Sequence, residues 1–226
     1  MSDLWQQFID DVPWFLQDKR ILQARDAPRG SWRPRSRAFP ALFPELARLL
    51  ASSFVTHVET ADRAYVLHSW EDEDGGARSW LCPRPVDRPP PDVYPAHRVL
   101  LESFGGVVER SNELIDSWLL NHNDVLTAEE ARHDATFIEE YGWAFDAFPG
   151  GIPIDLAAYY SIAREANGNT TLCHRLTGEV LLFAHDHSFD HIVPLAGCPE
   201  YSLYRIPTAP TFETWVAAVA TQWTVA

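Results

Sequence analysis

Apolar residues recur at helical spacing near both ends of the chain. The first such segment ends at Pro13, and its predicted apolar face consists of Leu4, Trp5, Phe8, Ile9 and Val12. The last segment begins after Pro210 with Thr211 as its cap, and its predicted face consists of Phe212, Trp215, Val216, Val219 and Trp223. Each pattern predicts an amphipathic helix that covers a hydrophobic surface.

Runs rich in β-branched and aromatic residues lie between these helices. "FVTHV" and "AYVLHSW" predict a hairpin that carries His57 and His68 on its exposed face. "VVERS" and "SWLLNHND" predict two further strands, and "YYSIARE", "TTLCHRL" and "EVLLFAH" predict an antiparallel meander. Its turns contain Gly168, between Asn167 and Asn169, and Gly178. We expect a positive φ at Gly168 because such turns need a left-handed residue.

Further helices and one connector complete the predicted architecture. "PELARLL" predicts a short helix, and "YPAHRVLLESFGG" predicts a helix that begins at Pro95 and ends at Gly105 and Gly106. Thr127 and Glu130 have capping-box spacing at the start of a third helix. The Pro-rich stretch 83–92 predicts a boundary between an N-terminal α/β extension, residues 1–92, and a domain of residues 93–226. The predicted class is α+β, a mostly antiparallel sheet with covering helices.

The net charge of the chain limits the kinds of molecule that it is expected to bind. The 226-residue chain has a net charge of −14, and residues 61–226 carry 25 acidic and 10 basic side chains. Such a surface is a poor match for nucleic acid and a good match for a cationic protein. The acidic start lacks the features of a signal peptide, no run is long enough to span a membrane, and three distant cysteines favour reduced thiols. We therefore expect a cytoplasmic protein without a membrane partner.

Two charged segments are candidates for contact with partners. Five arginines fall between Arg25 and Arg37 in a segment predicted to be an exposed loop. They could contact an anion or a phosphate, although the acidic bulk of the chain favours a solvated loop. The second segment is a predicted turn with four consecutive acids, Glu71, Asp72, Glu73 and Asp74. These four side chains, together with Asp186 and Asp190, are the candidate partner-binding residues.

Residues 184–191, "AHDHSFDH", pose the choice between a metal site and a polar loop at a strand end. His185 and His187 would share one side of a strand, and with Asp190 or His191 they could hold zinc in a hydrolase. The spacing is one residue longer than in the metal-binding loop of metallo-β-lactamase-like hydrolases, and no His or Asp follows His191. A loop whose side chains bond to backbone is favoured.

Other signs of catalysis are weak. The chain has no Gly-rich phosphate loop and no nucleophile elbow. Neighbouring side chains on a strand point to opposite faces, so Cys173 and His174 do not form a dyad. Glu129 and Glu130 are expected on a solvated helix surface, like Glu139 and Glu140. We therefore predict a protein that is not an enzyme, with no metal and no cofactor.

The second half of the chain resembles the SUKH superfamily, the Smi1/Knr4-like domains. The resemblance covers residues 93–224 and lies in the order of elements. A helix ends in two glycines, and a strand with Ile162-Ala163 leads into the Asn167-Gly168-Asn169 turn. Two strands with Leu172, Gly178 and Val180 follow, and then a C-terminal helix. The resemblance implies a SUKH fold and a protein-binding domain without catalysis.

The same resemblance implies a function. Bacterial members are mostly immunity proteins that bind and neutralise a polymorphic toxin, commonly a nuclease or a deaminase. A nuclease site is cationic because it holds phosphates, which suits an inhibitor with a charge of −14. We therefore expect a bacterial immunity protein that inhibits its toxin by stoichiometric binding. A scaffold with a non-toxin partner and the hydrolase of the His185–His191 segment are the alternatives.

Overall fold

The structure, a computed structural model, describes residues 3–16, 20–71, 76–113, 123–146, 150–186 and 191–224. Within these ranges the chain forms two antiparallel sheets, α-helices and short 3-10 segments. The predicted α+β class with mostly antiparallel strands is therefore confirmed. No helix in the described ranges is both long enough and apolar enough to cross a membrane.

The first sheet has five strands in sequence order. They are β1 (Ile21–Ala27), β2 (Phe54–Thr60), β3 (Ala64–Glu71), β4 (Ala77–Pro83) and β5 (Glu109–Ser111). The predicted hairpin is the antiparallel pair of β2 and β3. The prediction of a loop that includes Arg25 is wrong, because Arg25 lies in β1 and pairs with His57 of β2. β1 is an edge strand, where charged side chains can point to solvent.

The second sheet has six strands in the order β10-β11-β9-β8-β7-β6. They are β6 (Asp124–Val125), β7 (Tyr159–Arg164), β8 (Thr170–His174), β9 (Val180–Phe183), β10 (Val193–Pro194) and β11 (Leu203–Arg205). The central strands β7, β8 and β9 form the predicted meander. Most of "SWLLNHND", predicted as a strand, lies outside the described residues.

Five α-helices lie in the described ranges. They are α1 (Asp3–Asp11), α2 (Phe39–Leu42), α3 (Pro44–Ser52), α4 (Pro95–Leu101) and α5 (Phe212–Thr224). The predicted apolar face of α1 packs on one side of the first sheet, in a cluster that includes Phe8, Leu67 and Leu81. All five predicted face residues of α5 are buried in the largest core cluster. Burial of these two faces stabilises the fold through the hydrophobic effect.

The helix predicted after Thr127 is not continuous. The Glu130 backbone N–H donates to Thr127 Oγ1 at 3.1 Å, which forms one half of the predicted capping box, whereas the Glu130 carboxylate accepts from Ser161 and Arg164 instead. The chain then forms two 3-10 segments, Glu130–Arg132 and Ala135–Phe145. Asp134 separates them, because its carboxylate accepts from the backbone N–H of Thr136 and caps the second segment.

The connector predicted at residues 83–92 does not separate two hydrophobic cores. The largest core cluster combines Phe39, Leu46 and Trp80, before the connector, with Tyr160 and Trp215 after it. Strand β5, from the second half, also completes the first sheet by pairing with β4. The Pro-rich stretch therefore joins two sheets that share one core, and the packing does not follow the predicted division into residues 1–92 and 93–226.

At three glycines the backbone passes so close to neighbouring residues that a side chain would clash with them. A Cβ at Gly105 would lie 1.9 Å from the carbonyl oxygen of Pro83. Gly106 has a φ of +84°, and a Cβ there would lie 2.5 Å from the Val125 carbonyl oxygen. Gly178 has a φ of +71° and would place its Cβ 2.6 Å from the ring of Tyr94. Only glycine fits these positions without a shift of the neighbouring atoms.

Candidate functional site

His185 begins the segment that was considered as a metal site, and its imidazole packs among aromatic rings. The ring centroid lies 4.8 Å from that of Tyr141 and 5.8 Å from that of Phe183. The backbone N–H of His185 donates to Asn169 Oδ1 at 3.2 Å. His187 and Asp190 lie outside the described residues, so the zinc prediction stays a prediction. Within the described ranges no three His, Cys, Asp or Glu side chains form a group that could hold a metal.

The Asn167-Gly168-Asn169 turn fixes the position of Asp186. Asn167 Nδ2 donates to Asp186 Oδ2 at 2.8 Å, and Asn167 Oδ1 accepts from the Asn169 backbone N–H at 3.2 Å. The predicted positive φ of Gly168 is confirmed at +97°. Asn169 is buried, and its amide also donates to Glu165 Oε2 at 3.2 Å. The turn therefore holds the end of β9 through side-chain hydrogen bonds.

An exposed tryptophan lies close to this turn. Trp143 is 62% exposed, and its ring centroid lies 6.4 Å from that of Tyr141, the residue that packs on His185. A Cβ at Gly168 would lie 3.7 Å from the Tyr141 hydroxyl. We call Tyr141, Trp143, Asn167 and Asp186 the Trp143 surface. Three exposed acids, Glu139, Glu140 and Asp146, lie on or beside the same 3-10 segment as Trp143.

Glu71, the first of the four consecutive acids, is at a separate location. Glu71 is exposed at the end of β3, where it pairs with Ala77 of β4. Asp72, Glu73 and Asp74 lie outside the described residues. Glu71 therefore belongs to the first sheet, whereas Asp186 follows a strand of the second sheet. The candidate partner-binding acids are spread over both sheets.

Glu129 and Glu130 do not form the solvated pair that was predicted. Glu129 is exposed and its carboxylate lies 3.1 Å from the Arg63 guanidinium. Glu130 is buried, because its carboxylate turns inward to accept from Ser161 Oγ and from Arg164 Nε. Burial and the charge of Glu130 raise the pKa of nearby Asp124 to about 6. The hydrogen bonds of Glu130 with Ser161 and Arg164 join the 3-10 segment Glu130–Arg132 to the second sheet.

Among the described residues, His68 and His97 are buried, and His68 was predicted on an exposed face. His57 is exposed as expected, but His68 is buried with its Nδ1 2.8 Å from Ser53 Oγ. The prediction for His68 is wrong because Trp70, Phe104 and the core around α5 cover that part of the first sheet. Burial lowers the pKa of His68 to about 3, so its imidazole stays neutral.

Cys173 is a poor nucleophile in this fold. Its thiol is buried and contacts the carbonyl oxygen of His174, and burial raises its pKa to about 12. The His174 imidazole instead accepts backbone N–H groups of Leu176 and Thr177 at 3.2 and 3.1 Å. Cys82 and Cys198 are also buried, and all three cysteines are free.

A cationic cavity lies on the first sheet, and the prediction of a solvated Arg-rich loop missed it. The cavity has a volume of about 550 Å³, and its lining includes Arg25, Arg33, Arg35 and Arg84. Three of these arginines belong to the Arg-rich segment 25–37, whose possible contact with an anion was the only sequence signal for such a site. Strands β2, β3 and β4, the residues just after β4 and the segment after α4 supply most of the rest of the lining.

Comparison of the chain with protein-family models, with curated proteins and with solved structures found no match.

Proposed function

We propose that this chain is an immunity protein of the SUKH type, which neutralises a cationic toxin by stoichiometric binding in the bacterial cytoplasm. The observation that carries the proposal is the Trp143 surface, where the exposed ring of Trp143 neighbours Tyr141, and Tyr141 packs on His185, the residue before the fixed Asp186. Supporting it are the resemblance in the order of elements and the net charge of −14. The SUKH assignment of the fold is part of this proposal.

Trp143 has the properties of an anchor for a protein partner. Tryptophan, tyrosine and arginine are enriched among the residues that dominate the binding energy of protein interfaces, and tryptophan buries a large area at small entropic cost. Trp143 is exposed, and its neighbour Tyr141 is held by Phe183 and His185. In the bound state the indole would enter a pocket of the partner, while Tyr141 limits its loss of side-chain freedom.

Acidic residues around the anchor would make binding specific for a cationic partner and association fast. Asp186 is held by Asn167, so its carboxylate presents a fixed charge. Glu139, Glu140 and Asp146 are exposed near Trp143 in the sequence. An acidic rim raises the association rate with a cationic partner, and salt reduces this effect. A nuclease or a deaminase that holds phosphates is the class of toxin that fits such a rim.

The test is co-expression with the product of the adjacent gene, followed by purification of the complex and measurement of association and dissociation rates. Trp143→Ala should weaken binding at least about tenfold, mainly through faster dissociation. Asp186→Lys should slow association and reduce its dependence on salt. The matched control is Asp10→Lys, which makes the same charge change on α1, a helix that packs on the other sheet.

A partner with no toxic activity would favour the scaffold alternative. If the two proteins do not associate, or if Trp143→Ala, Asp186→Lys and Asp10→Lys bind equally well, the Trp143 surface is not the interface. Glu71→Lys, measured in the same assay, reports on the acidic turn of the first sheet independently.

A further inference from the structure

The cationic cavity lies on the face of the first sheet that helix α1 does not cover, and its lining contains no residue of the Trp143 surface. Arg25, His57, Val66 and Cys82 form one row across β1, β2, β3 and β4, because each is paired with the next. Paired residues share one face of a sheet. Helix α1 covers the opposite face, whereas the largest core cluster, which includes Trp80 and Cys82, covers part of this face and the cavity lies beside it.

The lining of the cavity is strongly cationic in an otherwise acidic protein. It contains four arginines and a single carboxylate, Glu59. Arg84 pairs with Glu59 at 3.2 Å, and Arg35 pairs with the exposed Asp87 at 2.8 Å. Among the described residues, no carboxylate forms an ion pair with Arg25 or Arg33. A concave site of one sign focuses the electrostatic potential, so this cavity attracts anions despite the net charge of −14.

The wall that carries Arg33 and Arg35 is held in place. Ser103 Oγ accepts the backbone N–H groups of Arg35 and Ser36 at 3.1 and 3.0 Å. Arg33 donates to the carbonyl oxygens of Gly30 and Trp32 at 2.5 and 2.6 Å. These bonds fix the loop before any ligand arrives, which lowers the entropic cost of binding.

The lining also contains apolar and aromatic side chains. Trp32 lines the cavity and packs edge-on against Phe39, with ring centroids 5.5 Å apart. Val55, Val66 and Phe104 contribute further apolar surface. His68, also in the lining, stays neutral because burial lowers its pKa to about 3. The cavity volume of about 550 Å³ is typical of a site for a small organic molecule.

We propose that this cavity binds a small organic phosphate, with the phosphate held by Arg25 and Arg33 and a planar group placed against Trp32. Guanidinium groups match phosphate oxygens in geometry and charge and form two parallel hydrogen bonds with them. The apolar surface beside the arginines gives an aromatic or heterocyclic ring a place to pack. Ligands of nucleoside-monophosphate type combine these two parts.

Isothermal titration calorimetry on the full chain tests the proposal with three probes: adenosine monophosphate, inorganic phosphate and adenosine. Adenosine monophosphate should bind most tightly, because it alone uses both the arginines and Trp32. The double variant Arg25→Gln, Arg33→Gln should weaken its binding by about tenfold or more, since charge-assisted hydrogen bonds are lost. Arg37→Gln is the matched control, because Arg37 belongs to the same Arg-rich segment but does not line the cavity.

Variants of Trp32 separate the two parts of the site. Trp32→Leu should weaken binding of adenosine monophosphate and leave that of inorganic phosphate unchanged, whereas Trp32→Phe should preserve both. The proposal is overturned if no phosphate probe binds at millimolar concentration, or if Arg37→Gln weakens binding as much as the double variant does. Tight binding of an acidic peptide without binding of adenosine monophosphate would also overturn it, and would make the cavity a protein-binding site.

Discussion

The imidazole of His97 stacks on the phenol ring of Tyr160, with their planes 17° apart and the ring centroids separated by 5.7 Å. His97 Nδ1 lies 3.0 Å from the Tyr160 hydroxyl, and Nε2 lies 3.1 Å from the carbonyl oxygen of Leu126. Because a carbonyl only accepts, Nε2 carries the proton and Nδ1 accepts from the hydroxyl. The buried, neutral imidazole thus joins α4 to the second sheet.

Stability should fall in mild acid because of His97. Burial lowers its pKa from 6.5 to about 4, so the unfolded state binds more protons than the folded state between these values. The contribution of neutral His97 to stability is present above pH 6.5 and is lost as the pH falls towards 4. The loss should be on the order of 3 kcal/mol from this group. Urea unfolding at a series of pH values measures it.

His97→Gln is the variant that isolates this effect. It should reduce the slope of the unfolding free energy against pH, whatever its effect on stability at pH 7.5. His68 will contribute a remaining slope of the same sign, because its pKa is also lowered. His133→Gln, at an exposed position, is the matched control for the loss of an imidazole. An unchanged slope in His97→Gln would show that His97 titrates normally.

Asp124 lowers the stability of the protein as the pH rises, whereas His97 raises it. Burial and the nearby carboxylates of Glu130 and Glu129 raise its pKa from 3.8 to about 6, so the folded state disfavours the ionised form. Above pH 6 this carboxylate lowers stability, and the penalty disappears as the pH falls to 3.8. Asp124→Asn should therefore raise the melting temperature at pH 8 and leave it nearly unchanged at pH 4.

Asp10→Asn, on the exposed surface of α1, is the matched control for removal of a negative charge. It tests whether a lower net charge alone stabilises the protein. Equal gains from Asp10→Asn and Asp124→Asn would mean that the local environment of Asp124 has no special effect.

Sequence patterns predicted the elements in which buried residues recur at a regular spacing. The face of α5 repeats every three or four residues, so each of its apolar side chains, from Phe212 to Trp223, could be assigned to the core. The turn at Gly168 was predictable because its neighbouring asparagines favour turn geometry and Gly adopts a positive φ. The face of α5 and the turn at Gly168 both depend on residues that are close together in the sequence.

The features that sequence patterns missed depend on distant contacts. His68 alternates with apolar residues like an exposed strand residue, yet Ser53 and the core around α5 bury it. Glu130 has the sequence context of a surface helix, but Ser161 and Arg164 of β7 bind its carboxylate. The cationic cavity combines six separate segments of the chain. A repeating pattern of polar and apolar residues in the local sequence does not indicate such contacts.

Two glycines with positive φ should differ in their tolerance of alanine. Gly106→Ala should cost about 3 kcal/mol or more, because the new Cβ meets backbone atoms at 2.5–2.7 Å in addition to the strained φ. Gly168→Ala should cost only about 1–2 kcal/mol, because its nearest contact is a side-chain atom of His185 at 3.5 Å. Chemical denaturation of both variants gives the comparison. Equal losses of stability would show that strain in φ, and not the close backbone contact, determines the cost.

The segment from His185 to His191 should hold no functional metal. The protein purified without a histidine tag should contain far less than one equivalent of zinc, iron or manganese, and a chelator should leave its melting temperature unchanged. His185→Ala should lower the melting temperature for a different reason, because it removes a ring that packs against Tyr141 and Phe183. His185→Phe keeps an aromatic ring and should restore most of that stability without any metal ligand. If instead the protein contains stoichiometric metal that is lost in both His185 variants and in His187→Ala, the segment is a metal site and the hydrolase alternative replaces the binding protein.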